Sequence, residues 1–187
     1  MLNQKLKDYL FLFGVAGAVI ALDQWTKWLV RENIEFGAQW LPDWLMWLSP
    51  YARIVHWYNS GAAFGMFQNG NLIFTVLAIL VVIAIVYYFP QAEAEDWTLK
   101  TAMGLQLAGA AGNLIDRLMM GKVTDFISVG SFPVFNIADS SITIGVAVLL
   151  LGVWWKERQE RKAAKNAPLS EVGNQLADGG QSNSEQA

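Results

Sequence analysis

Residues 71–89 read NLIFTVLAILVVIAIVYYF, nineteen positions without one Asp, Glu, Lys, Arg or His. A helix needs about 20 predominantly apolar residues to cross the hydrocarbon core of a bilayer. This run therefore predicts a membrane-spanning helix, and three further apolar segments surround it, from Tyr9 to Val30, Trp97 to Leu118 and Ile137 to Trp155. Spans at about 9–30, 71–89, 97–118 and 137–155 predict an all-α membrane protein, a four transmembrane helix bundle. Composition agrees: 54% of the 187 residues are hydrophobic and 16% charged, too apolar for an ordinary soluble domain. The first segment carries Asp23, Lys27 and Arg31 where a signal peptide would have a small-residue cleavage site, so it reads as a retained helix.

Lys5 and Lys7 precede the first span, and Lys156, Arg158, Arg161, Lys162 and Lys165 follow the last. Positive residues stay inside, which predicts that both termini are cytoplasmic and that residues 31–70 and 119–136 lie outside. The first outer connection contains Trp40, Trp44, Trp47, Tyr51, Trp57 and Tyr58, an interfacial aromatic loop suited to headgroup level. Within it, Arg53 to Tyr58 is rich in β-branched and aromatic residues and ends at the turn Asn59-Ser60-Gly61; with a second strand at Val123 to Val129 it predicts a small extracytoplasmic β element. From Glu157 the chain is polar, which predicts a four-helix transmembrane unit over 1–156 and a disordered cytoplasmic tail over 157–187. A net charge of −3 offers no basic footprint and excludes nucleic acid as a partner. Zero cysteines exclude disulfides, a thiol nucleophile and Cys-ligated metal.

The polar residues near the outer ends of the spans carry the chemistry. Phe135-Asn136-Ile137-Ala138-Asp139 taken alone is a helix cap, Asn136 accepting from first-turn amides and Asp139 reaching back to it. Asp125 changes that picture: strand alternation puts it on one face with Val123, Ile127 and Val129, an apolar setting that raises a carboxylate pKa. Two acids at similar membrane depth can share a water, one taking its proton and the other protonating the oxyanion or leaving amine, with no metal or cofactor. Other hydrolytic solutions lack their signatures. His56 is the only histidine, so there is no H-E-x-x-H, and it reads as an exposed interfacial side chain; G-x-S-x-G is also absent. A Ser-Lys pair drawn from Ser128 or Ser131 and Lys122 has no spacing signature.

Gly104, Ala108 and Gly112 form a small-residue stripe that admits a neighbouring helix, with Asp116 next on it. Asn113, Asp116 and Arg117 are helix neighbours, either polar glue in which Arg117 neutralises Asp116 or a support for the catalytic loop. Asp23 and Lys27 make an i, i+4 ion pair. The run Asn59-Ser60-Gly61-Ala62-Ala63-Phe64-Gly65 is either a tight re-entry into the second span or a place where Asn59 binds substrate backbone.

Five motifs lie in register with the four spans: Asp23-Gln24-x-Thr26-Lys27, Asn59-x-Gly61-Ala62-Ala63-Phe64, Gly112-Asn113-Leu114-Ile115-Asp116-Arg117, Val123-x-Asp125-Phe126 and Phe135-Asn136-x-Ala138-Asp139. Together they resemble the bacterial lipoprotein signal peptidases, the type II signal peptidase family. The resemblance implies a multi-pass inner-membrane aspartic endopeptidase that cuts prolipoproteins just before a diacylglyceryl-modified cysteine. It implies a catalytic dyad of Asp125 and Asp139, with Asp23, Lys27, Asn59, Gly61, Asn113, Asp116, Arg117, Asn136 and Ala138 supporting it or contacting substrate. It further implies lipid-modified prolipoproteins, membrane lipids and globomycin-type inhibitors as partners, no cofactor, a monomer, and an active site near the outer leaflet. Asp139 is the expected initial base and Asp125 the initial acid. Two other functions compete: a small proton-coupled transporter, for which no paired broken helices or inverted repeat are visible, and a non-catalytic membrane assembly factor, which would need neither aspartate.

Overall fold

The computed structural model describes residues 3–61, 70–93 and 96–166. Four long helices form, α1 (Gln4–Asn33), α2 (Asn71–Tyr88), α3 (Trp97–Met120) and α4 (Ile137–Asn166), with strands β1 (Gln39–Trp40), β2 (Ala52–Asn59) and β3 (Val123–Val129). Asn3 and Asp96 cap α1 and α3, the Asp96 carboxylate accepting from the Leu99 N–H at 2.9 Å. Gly121 ends α3 in the left-handed region (φ +72°), its N–H returning to the Arg117 carbonyl at 3.0 Å. That turn needs a residue without a Cβ penalty, and it delivers the chain directly into β3.

Among the described residues, Asn71–Gln91 and Ile137–Ala163 are long and apolar enough to cross a membrane. The α2 helix turns Leu72, Ile73, Leu77, Leu80 and Ile83 outward, an arrangement that suits lipid rather than water. Helices α1 and α3 do not pass as uniformly apolar segments, because they carry charges inward. Lys27 pairs with Asp23 and Asp116, and Lys100 pairs with Asp8 at 2.9 Å.

The small-residue stripe of α3 faces α1: a Cβ on Gly104 would stand 3.0 Å from Val15 Cγ1, and one on Gly112 would stand 2.8 Å from Asp23 Oδ2. Gly109, off that stripe, lets α4 approach, since a Cβ there would collide with the Ala138 carbonyl and Ile142. A dry core of Leu12, Ala16, Ile85, Phe89, Leu107 and Ala108 joins α1, α2 and α3. The strands form an antiparallel sheet in the order β1-β2-β3, with Trp57 opposite Asp125, Asn59 opposite Val123, and an irregularity between Ile54 and Trp57.

Three expectations are corrected. β3 has the bounds read from the sequence but not the alternation: residues 123–126 are all buried and Val129 is exposed, because α1, α3 and the Phe135 segment cover the strand. His56 is 5% exposed rather than interfacial; its Nδ1 lies 2.7 Å from the Ile34 carbonyl oxygen and its ring meets Phe36 and Tyr58. Helix α4 continues to Asn166, ten residues into the stretch read as a disordered tail. The rest of that tail and residues 62–65 of the predicted turn lie outside the described residues. The chain divides into a unit Met1–Leu149, holding the sheet, and a unit Leu150–Ala187, in which α4 runs on.

Candidate active site

Asp125, the third residue of β3, is 1% exposed. Its Oδ2 accepts from Asn59 Nδ2 at 3.1 Å and its Oδ1 from Asn136 Nδ2 at 2.7 Å. Asn59 reaches it diagonally across the β2–β3 ladder. The Asn59 oxygen is occupied, accepting from the Gly61 N–H at 3.0 Å, so its amide nitrogen must face the carboxylate.

Asp139 sits in the first turn of α4. The capping box expected there is present: the Asp139 N–H donates to Asn136 Oδ1 at 3.0 Å, and the Asn136 N–H donates to Asp139 Oδ2 at 3.2 Å. Because the oxygen of Asn136 caps the helix, its nitrogen is free to hold Asp125, and one residue contacts both carboxylates, Asp125 through its side chain and Asp139 through its backbone N–H. Asn113 adds a second link, donating to Asp139 Oδ1 at 2.8 Å while its own oxygen accepts from Asn136 at 3.0 Å. The helix cap and the link to Asp125 thus share one geometry.

Burial pushes the Asp125 pKa up to about 7, and the nearby Asp139 charge adds to the rise. Hydrogen bonds from Asn59 and Asn136 and the Lys27 ammonium pull the other way without cancelling it. Asp139 is less enclosed than Asp125 and lines a cavity of about 620 Å³ together with Asn59, Gly61 and Arg117. Apolar side chains including Phe74, Phe132, Phe135 and Ile142 make up much of the wall, a lining suited to an apolar ligand oriented by a few polar groups. A further groove of about 390 Å³ shares Phe74, Arg117, Asp139 and Ile142 and extends along Leu77 and Val81.

Behind the acids lies a polar cluster from α1 and α3. Lys27, 0% exposed, places its ammonium 2.8 Å from Asp23 Oδ2, 3.3 Å from Asp116 Oδ2 and 3.0 Å from Asn113 Oδ1. Asp23 Oδ1 accepts the Ala138 N–H at 2.9 Å, and Asp116 Oδ2 accepts the Thr124 N–H at 2.9 Å. Asp116 therefore pairs with Lys27, with Arg31 Nη1 at 4.0 Å. The expected neutralisation by Arg117 gives way to a different placement: the Arg117 guanidinium lies over the Phe74 ring at 5.6 Å, on the cavity wall. Gln24 was missed as a site residue, although its Nε2 touches Asp23, Asp116 and the Gly112 carbonyl at 3.0–3.1 Å. The signal was there: Gln24 lies three positions before Lys27, on the same side of the helix, and stands in the motif Asp23-Gln24-x-Thr26-Lys27.

Helices with paired internal charges, enclosing two acids at the edge of an apolar cavity, define a helical membrane protein with a polar site that opens on that cavity. The family model for Signal peptidase (SPase) II matches residues 15–155. The lipoprotein signal peptidase of Halalkalibacterium halodurans is 40% identical over 158 residues, covering 82% of this chain and 97% of that protein. The lipoprotein signal peptidase of Shouchella clausii is 42% identical over 155 residues, covering 81% of this chain and 97% of that protein. A solved structure described as a bacterial membrane enzyme superposes with a TM-score of 0.69 at 31% identity, covering 84% of this chain and 92% of the other. The chain belongs to the signal peptidase II family, and it is an aspartic peptidase, a hydrolase acting on peptide bonds.

Proposed function

We propose that the enzyme removes signal peptides from diacylglyceryl-modified prolipoproteins, cutting before the lipidated cysteine, with Asp125 and Asp139 activating the attacking water. The observation that carries the dyad is Asn136, whose side chain and backbone N–H hold both acids while only Asp139 is among the cavity-lining residues. Asp139 takes a proton from water as the oxygen attacks the scissile carbonyl, and protonated Asp125 supplies a proton to the oxyanion. As the tetrahedral species collapses, the C–N bond breaks, Asp139 gives its proton to the leaving nitrogen, and Asp125 regains its own. The raised pKa of Asp125 suits the acid role.

Arg117 and Asn59 line the cavity as polar contacts for the substrate backbone, and the groove along Leu77 and Val81 suits an acyl chain entering from lipid. All four helices cross the inner membrane, with both termini cytoplasmic and the dyad near the outer leaflet; the flanking Lys and Arg residues favour this orientation. Residues 1–156 form the working unit, active as a monomer, with 157–187 dispensable. A globomycin-type peptide occupies the same cavity.

The test is cleavage of one precursor, with and without its diacylglyceryl group, by purified enzyme and by Asp125→Asn and Asp139→Asn variants. Each variant should bind the lipidated precursor and lose at least about 10³-fold in rate. Wild-type cleavage by either variant would sink the dyad, and equal cleavage of the unmodified precursor would sink the substrate assignment.

A further inference from the structure

An ammonium has three N–H donors, and the Lys27 ammonium has three acceptors that all lead to the same two places. Asp23 holds the backbone N–H of Ala138, the residue immediately before Asp139. Asp116 holds the backbone N–H of Thr124, the residue immediately before Asp125. Asn113 donates to Asp139 itself and accepts from Asn136, which touches Asp125. The acids come from different elements, β3 and α4, while Lys27 comes from α1.

We propose that Lys27 is a positioning residue that sets the separation of the two aspartates, using Asp23 and Asp116 as arms that each grip the backbone one residue before an aspartate. The proposal rests on the dyad reading above. Stability alone is a poor reason for such a cluster, since burying charges costs desolvation that apolar packing would avoid. Arg31, near Asp116 at 4.0 Å and 22% exposed, leaves Lys27 as the cluster's fully enclosed cation among the described residues. A compact ammonium also suits three converging oxygens in a way that a planar guanidinium does not. The ammonium acts on Asp125 through space as well, favouring its charged form.

The experiment measures kcat, KM and folded fraction, by thermal unfolding in detergent, for Lys27→Met, Asp23→Asn, Asp116→Asn and Gly112→Ala on the lipidated precursor. Asn at position 23 keeps Oδ1 for the Ala138 N–H and turns a donor toward Lys27 and Gln24, whereas at 116 one oxygen, Oδ2, meets both Lys27 and the Thr124 N–H, so Asn there weakens the tie by removing charge. Gly112→Ala changes no charge and displaces Asp23 Oδ2, 2.8 Å from where the new Cβ would stand; it carries the test if Lys27→Met does not fold. Expected is a loss of about 10- to 100-fold in kcat per folded molecule with KM little changed, as misplacement of reacting groups predicts. The limb of the pH profile belonging to Asp125 should also move upward in Lys27→Met, because the ammonium that favours its charged form is gone. Unchanged kcat per folded molecule in Asp23→Asn and Gly112→Ala, loss confined to KM, or an unmoved limb overturns the proposal. Active Asp125→Asn or Asp139→Asn enzyme would instead overturn the dyad, so the two failures are told apart.

Discussion

Helices α1 and α3 pack against each other in two different ways along their length. Toward the first turns, Leu12 and Ala16 meet Leu107 and Ala108 in a dry cluster closed by Ile85 and Phe89. Further on, Asp23 and Lys27 meet Gly112, Asn113 and Asp116 in a hydrogen-bonded cluster whose polar atoms reach into β3 and α4. The same small-residue stripe serves both, with Gly104 against Val15 and Gly112 against the Asp23 carboxylate. Dispersion at the dry end is non-directional and tolerates repacking, whereas each bond at the polar end fixes an angle and a partner. The bundle is thus held together at one end and aimed at the other.

Lys27→Met tests that contrast most severely. It leaves two buried carboxylates short of their shared cation and should cost about 3–5 kcal/mol, read as a lower midpoint of thermal unfolding in detergent. A variant as stable as wild type would show that the polar end contributes nothing to holding the fold. Leu107→Ala at the dry end should cost about 2–5 kcal/mol through an unfilled cavity, yet leave kcat per folded molecule within about twofold. Should kcat fall with it, the two ends are mechanically coupled. Gly104→Ala presses on Val15, whose branched Cβ gives little, and should cost about 1–2 kcal/mol without touching kcat.

Per pH unit, the smallest effect is a pH dependence. The Asp125 pKa is about 7 in the folded enzyme against 3.8 ordinarily, so the folded state binds more protons between those values. Its unfolding free energy should therefore fall as pH rises across that window, by up to about 1.4 kcal/mol per pH unit, and stay low above it. Asp125→Asn should flatten that slope in detergent melts between pH 4 and 7. An unchanged slope would assign the dependence to other groups. Cleavage by the wild type should decline above pH 7 as Asp125 loses the proton it donates.

Local features of this fold are legible in the sequence. The β3 bounds follow from a β-branched and aromatic run, and the cap at Asn136 from a polar residue three before a carboxylate. Alternation failed on β3 because it assumes one wet face, and the covering helices leave none as far as Phe126. His56 was misjudged for a related reason: its partner is the Ile34 carbonyl oxygen, 22 residues away, which no local pattern displays.

What the amino-acid order determined by itself was periodic and short-range: the apolar runs, the stripe on α3 and the cap of α4. Tertiary structure decided which polar atom meets which, sending Asp116 to Lys27 rather than Arg117, turning Gln24 inward, and letting one amide of Asn136 cap a helix and hold Asp125 together. The reason is that burial and hydrogen-bond geometry depend on neighbours in space, and here the decisive pair, Asp23 and the Ala138 N–H, are 115 residues apart in the chain.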